Sequence, residues 1–175
     1  MKVAVFGKPG GGKSTIARQV AQAADLPLHQ LDLLQFAEGG ARVPDDVFNT
    51  KHAELLTSGR WVIDGFGTPQ TFAELLRAAD VLIYVERPTI VHYWWVTKRF
   101  LKSPWVQPLG WPKGSPMFRS TIASYRFLRL SSRFWTPAFR DKLLAQRPEK
   151  RVYIVERQTD VGAMLKAIQT RTARR

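Results

Sequence analysis

Apolar positions along this chain fall into five short runs separated by longer stretches of helical period. Val3-Ala4-Val5-Phe6 is the first run, and further strand-like runs occupy residues 28–32, 61–64, 81–85 and 152–155. Short continuous apolar runs suit strands buried on both faces, and the intervening segments are long enough to hold crossover helices. The alternation predicts an α/β fold with a five-stranded parallel sheet covered on both sides.

The helices between the runs are marked by their ends. Residues 15–24 lack Gly and Pro and bring Ile16, Val20 and Ala23 or Ala24 to one face, as an amphipathic helix does. Pro44-Asp45-Asp46 reads as a first helical turn, with Pro tolerated there and acids favoured at the positive end, and Ser58-Gly59 as its stop. Thr68-Pro69 opens a helix that runs to about Ala78, and another is expected after Pro88, to about Lys102. Pro104, Pro108, Pro112 and Pro116 then recur every fourth residue, with Gly110 and Gly114 among them, which predicts an extended loop. Helical pattern resumes over residues 118–132, 137–146 and 160–170, and the basic tail from Arg171 to Arg175 is expected to fray. The chain thus reads as a single domain over residues 1–175, with residues 103–147 inserted in it as a basic helical lid.

The 175 residues suffice for one domain with a sizeable core. The longest nonionic apolar stretch, residues 88–97, is too short to span a bilayer, and no apolar leader opens the chain, so a cytoplasmic location is expected. Zero cysteines exclude disulfides and thiolate metal sites, and three scattered histidines give no zinc pattern. Charge changes the picture more: the net +13 is split as −2 over residues 1–86, +11 over 87–147 and +4 over 148–175. The basic middle segment also holds five of the six tryptophans, Trp94, Trp95, Trp105, Trp111 and Trp135. Such a segment suits a polyanionic substrate, nucleic acid or an acidic membrane surface, and peripheral membrane contact ranks last of the three.

One motif gives the first run its chemistry. Gly7-Lys8-Pro9-Gly10-Gly11-Gly12-Lys13-Ser14 fits G-x-x-x-x-G-K-[ST] and sits between the first strand and the first helix, where a phosphate cradle belongs. Backbone N–H groups of such a loop point at phosphate oxygens beside a helix N-terminus. Gly7, Lys8, Pro9, Gly10, Gly11, Gly12, Lys13, Ser14 and Thr15 are therefore the expected ATP-binding set, with Lys13 on the β- and γ-phosphates and Ser14 on Mg²⁺.

Other candidates follow from position. Asp64 ends the third strand-like run, where strand ends face the ligand crevice, and is expected to help hold Mg²⁺; a turn aspartate before Gly65 is the alternative. Asp32 ends the second run, beside the phosphate loop, and suits either a proton acceptor or an organiser of the metal's water shell, against a helix cap. Gly65-Phe66-Gly67 is either a close approach to an acceptor, with Phe66 on its apolar body, or a plain turn. Arg42 and Lys51 lie where a segment is expected to fold over the acceptor. Arg87, Lys98, Arg99, Lys102, Arg119, Arg126, Arg129 and Arg133 are the candidate lid cations for transferring charge, and helical spacing puts the last four on one face. Arg99, Arg126 and Arg129 are the preferred catalytic three. Trp94, Trp95 and Trp135 are expected to pack in core or lid, while Trp105 and Trp111 either stack on a planar partner or fold under the lid.

With these residues in view, the chain resembles the P-loop nucleoside and nucleotide kinases of adenylate-kinase-like topology, a three-layer α/β/α P-loop NTPase architecture. It is most similar among them to the DNA topology modulation proteins, or FlaR-type kinases. The resemblance rests on Gly7 to Ser14, Trp61-Val62-Ile63-Asp64-Gly65, Ala79-Asp80 leading into residues 81–85 and Pro88, Lys98-Arg99 and the aromatic helical region near the C-terminus. It implies an ATP-dependent, Mg²⁺-requiring transferase acting on a small acceptor, an acidic acceptor-facing residue at Asp32, and an adenine contact along residues 156–159. Trp95 stands where these proteins often carry a lid arginine. The other function class open to the sequence is a nucleic-acid-associated ATP-binding protein gripping phosphate backbones with residues 87–147.

Overall fold

The computed structural model describes residues 1–106 and 111–172. Five strands, β1 (Lys2–Gly7), β2 (Leu28–Gln30), β3 (Trp61–Asp64), β4 (Val81–Val85) and β5 (Arg151–Val155), form one all-parallel sheet in the order β2-β3-β1-β4-β5. Among the described residues eight α-helices accompany them: α1 (Lys13–Ala24), α2 (Leu31–Gln35), α3 (Asp45–Thr57), α4 (Pro69–Ala78), α5 (Thr89–Lys102), α6 (Met117–Ser131), α7 (Pro137–Leu144) and, after the last strand, α8 (Gln158–Thr172).

Alternation along β1 shows why the sheet needs two covers. Val3 and Val5 point into a core with Ile16, Val20, Val161 and Met164 of α1 and α8. Ala4 and Phe6 point the other way, into a core with Leu31, Phe48, Phe72, Leu75 and Leu143 of α2, α3, α4 and α7. The second core is aromatic: Trp135 stacks on Tyr84 at 5.4 Å and on Phe6 at 6.1 Å, and Phe72 meets Phe6 edge-on at 5.2 Å. Trp135 is 5% exposed, so it fastens the chain between α6 and α7 to the sheet; truncating so buried a ring costs about 3–5 kcal/mol.

Helix ends follow the sequence signals closely. Thr68 caps α4 through a reciprocal pairing with Thr71, with Pro69 in the first turn, and Thr136 accepts from the Phe139 N–H to cap α7. At the other end of α4 the Lys150 ammonium donates to the carbonyls of Leu76, Arg77 and Ala79, at 2.9, 2.6 and 2.8 Å. The expected strand over residues 28–32 is shorter: β2 stops at Gln30, and Leu31 opens α2 with Asp32 in its first turn. An acid is favoured at that positive end, and Leu31 is fully buried by turning inward. Of the proline-rich loop, residues 111–116 are irregular, as expected, and residues 103–106 form a turn; Pro108 and Gly110 lie outside the described residues, as does the end of the basic tail. Among the described residues no helix is long and apolar enough to cross a membrane.

Candidate active site

The loop between β1 and α1 is shaped by close approaches. Gly12 precedes the helix with φ 84° and ψ 16°, and no side chain caps the first turn of α1, which leaves its N–H groups directed at the space before the helix. Gly10 and Gly11 lie against His92 of α5: a Cβ on Gly11 would stand 3.0 Å from His92 Cε1, and one on Gly10 would strike the His92 carbonyl oxygen. His92 is fully buried and reads both neighbours with its ring. The Arg87 N–H donates to Nε2 at 3.4 Å, so Nδ1 carries the hydrogen and donates to the Pro9 carbonyl at 2.8 Å. Burial pushes the His92 imidazole down to about 4, which keeps it in that neutral form.

Lys13 turns back over the loop and donates from Nζ to the Lys8 carbonyl at 2.9 Å. Burial holds its ammonium below the ordinary lysine range, partly offset by the nearby Asp64 and Asp32 carboxylates, and Arg99 adds to the lowering. These four groups form one electrostatic cluster at the C-terminal edge of the sheet, where ligands bind in open α/β folds. Asp64 ends β3 in register with Val5 of β1 and Gln30 of β2. It is 5% exposed; Gln30 Nε2 reaches its Oδ2 at a long 3.5 Å, and its Oδ1 is buried with no hydrogen-bond partner. An unsatisfied buried carboxylate oxygen beside a phosphate cradle is what a divalent cation would complete, so the site fits Mg²⁺ held with Ser14.

Asp32 does not end a strand, and β3 separates β2 from β1, so the expected place beside the loop is not reached through the sheet. The first turn of α2 brings it to the cluster instead. Its surface stays open to the crevice while protein surrounds it closely enough to push its carboxyl up to about 6. Burial is the main cause, Asp64 adds to it, and Lys13 and Arg99 oppose it.

Arg99 sits two turns beyond His92 on the same side of α5. Its Nη2 donates to Ser124 Oγ of α6 at 3.0 Å, its guanidinium lies over the Trp111 ring at 4.8 Å, and its Nε is buried with no hydrogen-bond partner. Burial lowers its pKa and Asp32 raises it, so its charge is felt at the Asp32 carboxylate. Arg119, Arg126, Arg129 and Arg133 are exposed, and the buried side of α6 is lined by Thr121, Ser124, Leu128 and Ser131. The expected basic face of α6 exists and is turned to solvent; Arg133 lies just past the helix end.

The remaining candidates divide. Arg42 pairs with Asp45 at 2.9 Å, Lys51 is exposed, Arg87 donates to the Glu156 carbonyl, and Lys98 lies 4.9 Å over the Trp95 ring. Phe66 packs on Phe72 at 4.6 Å and on Trp135 at 5.8 Å, so its ring joins the aromatic core. Trp135 is core, as expected, although it lies in the turn between α6 and α7. Trp94 and Trp95, expected to pack, are instead 59% and 50% exposed. Trp111 lies beneath Arg99, while Trp105 is 82% exposed. Beyond β5 the Asp160 carboxylate accepts from the Glu156 and Arg157 N–H groups, shaping the turn expected at adenine. Sequence reasoning missed His92, whose partner Pro9 is 83 residues away and whose only signal was its position on the helix after Pro88.

A hollow of about 480 Å³ lined by Arg77, Asp80, Arg147 and Lys150 lies at the opposite end of the sheet, by the start of β4 and β5. It shares no residue with the cluster.

No family model matches this chain. A shikimate kinase from Rhodococcus jostii (strain RHA1) is 46% identical over 44 residues, which is 25% of this chain and 26% of that kinase's own length. Among solved structures, a shikimate kinase from Acinetobacter baumannii in complex with shikimate superposes with TM-score 0.54 and 17% identity, covering 99% of this chain and 93% of that one. A protein from Chloroflexus aurantiacus j-10-fl, assigned provisionally as a kinase, gives TM-score 0.55 and 18% identity over 96% of both chains. With the strand order β2-β3-β1-β4-β5 and the glycine loop between β1 and α1, the chain shares the α/β fold of these two structures.

Proposed function

We propose that this chain is an ATP-dependent, Mg²⁺-requiring phosphotransferase that moves the γ-phosphoryl group of ATP to a hydroxyl or phosphate of a small acceptor. The observation that carries the reading is the convergence of Lys13, Asp64, Asp32 and Arg99 on one phosphate loop, with the Asp64 Oδ1 buried and unpaired. The loop N–H groups and Lys13, released from the Lys8 carbonyl, hold the phosphate tail. Ser14 and Asp64 would hold Mg²⁺, which would supply charge neutralisation to the phosphate tail. For a hydroxyl acceptor, the O–H proton passes to the Asp32 carboxylate, the acceptor oxygen bonds to the γ-phosphorus, and the bond from that phosphorus to the bridging oxygen breaks to leave ADP. A carboxyl pushed up to about 6 is largely ionised at neutral pH and still a useful base. Arg99 meets the equatorial charge, and within the 103–147 insertion α6, ahead of the part that Trp135 and Leu143 anchor to the sheet, acts as a lid that brings Arg126 and Arg129 inward.

The finer resemblance to FlaR-type proteins supports a nucleoside or nucleotide acceptor, and the local likeness to shikimate kinase supports a hydroxylated carboxylic acid. A cytoplasmic location fits a consumer of ATP. The test is ADP release from Mg-ATP across nucleosides, nucleoside monophosphates, shikimate and sugar acids, with a DNA-only well and Lys13→Ala alongside. Stimulation by one small acceptor, lost in the variant, supports the transferase. Stimulation by DNA alone replaces it with the second reading, a nucleic-acid-coupled ATP-binding protein, which the +11 charge of residues 87–147 favours.

A further inference from the structure

α5 has two working sides. His92, Val96 and Arg99 face the phosphate loop and α6, as described above. The opposite side carries Ile90, Trp94 and Leu101, which are 74%, 59% and 60% exposed and whose i, i+4, i+11 spacing aligns them in one stripe. The stripe continues past the helix into Trp105 and Val106, 82% and 59% exposed. Phe118, 65% exposed, is brought to the same end of α5 by its contact with Phe100 at 6.2 Å. Cations accompany it: Lys98 over Trp95, then the exposed Lys102, next to Leu101, and Arg119, next to Phe118. Residues 87–147 hold twelve Lys and Arg against the single acid Asp141.

We infer that this outer face of α5, with the turn that follows it, docks on an anionic lipid bilayer. A contiguous run of exposed aromatic and aliphatic side chains marks a contact surface rather than scattered surface residues. Nucleic acid would use the indole rings but leaves Ile90, Leu101 and Val106 without partners, since aliphatic groups neither stack on bases nor pair with phosphates. A second copy in a two-fold interface would set this +11 segment against itself. An anionic bilayer satisfies both features: acyl chains take the aliphatic groups, the interfacial layer takes tryptophan, and acidic headgroups take the lysines and arginines. The phosphate loop lies on the other side of α5, away from the docking face. The inference does not depend on the transferase reading.

The test is co-sedimentation of the full chain with vesicles of phosphatidylcholine alone and of about three parts phosphatidylcholine to one part phosphatidylglycerol. Partition onto the anionic vesicles is expected to be at least about tenfold stronger, to fall steeply with salt, and to drop about tenfold in the Trp94→Ser/Leu101→Ser variant. Both positions are exposed, so the variant should keep its far-ultraviolet circular dichroism, its Tm and its ADP release. Equal binding to neutral vesicles, or unchanged partition in a folded variant, overturns the inference. Duplex-DNA binding that the variant loses, without vesicle binding, overturns it in favour of nucleic acid. A concentration-dependent dimer that the variant abolishes, without vesicle binding, overturns it in favour of a second copy.

Discussion

Residues 1–86 contain β1 to β4 and carry a net charge of −2, whereas residues 87–147 contain α5, α6 and α7, no strand among the described residues, and a charge of +11. In the first region the central strands are buried on both sides; every residue of β3 and β4 is buried, and only the edge strand β2 is half-buried throughout. In the second, helices are covered on one side only, and large apolar groups such as Trp94 and Leu101 face outward. The strand ends of the first region set Asp64 and the phosphate loop with little freedom. The second region reaches that site through one side of one helix, at His92 and Arg99. Chemistry built on the sheet is therefore expected to depend on rigid geometry, and its helical complement on how α5 and α6 are held.

The largest effect should come from the sheet side: Lys13→Ala is expected to lower turnover by about 10³-fold or more with unchanged circular dichroism, measured as ADP release at saturating acceptor. If the second region matters only through α5, Arg99→Ala should follow at about 10²-fold, mostly in kcat, in steady-state kinetics. Equal losses at Arg99 and at exposed Arg133 would erase the distinction.

Asp32 tests the border between the regions by pH. Its folded-state carboxyl lies at about 6 against an ordinary 3.8, so kcat/KM should rise with an inflection near 6 that Asp32→Asn removes. The same shift means the folded state holds its proton more tightly than the unfolded chain. Stability contributed by protonated Asp32 is thus present below 3.8 and fades as pH rises to about 6. Asp32→Asn should accordingly gain Tm on the wild type across that window, by thermal melts in the absence of nucleotide.

His92 separates positioning from packing. In His92→Asn the amide nitrogen takes the place of Nδ1 and can still donate to Pro9; in His92→Gln the amide oxygen takes the place of Nε2 and keeps only the Arg87 N–H. The ATP KM should rise about tenfold in His92→Gln and no more than about threefold in His92→Asn, with similar losses of Tm in both. Equal KM values would reduce His92 to a core residue. The smallest effect is expected for Arg126→Ala/Arg129→Ala together, about fivefold in turnover, because both are exposed before any lid movement; unchanged turnover with weakened DNA binding would take them out of the lid.

The sheet, its helices and the phosphate loop were legible because their signals are local: an apolar run, a glycine loop, a proline or threonine at a helix start. Asp32 was mislocated because Leu28-His29-Gln30-Leu31-Asp32 is too short to show a clear period that marks where the strand stops, and the burial of Leu31 against the second core accompanies the turn into α2. Trp94 and Trp95 were misjudged because α5 is apolar over much of its circumference, with Ile90, Val91, Tyr93, Trp94, Trp95 and Val96 in near succession, so no periodicity marks its covered side. His92 and the Arg99–Trp111 contact depend on tertiary approach, which the order of residues does not record.

The three carbonyls at the end of α4 receive their common cation from Lys150, more than seventy positions along the chain. As the polypeptide leaves the ribosome, α4 therefore emerges with its last turn unsatisfied and stays so while the whole basic segment is synthesised. Lys150 directly precedes β5, so the closing of that turn is expected to coincide with the arrival of β5 at the sheet edge. A nascent chain halted before residue 150 should keep α4 frayed and open to protease, and its release would report completion of the sheet.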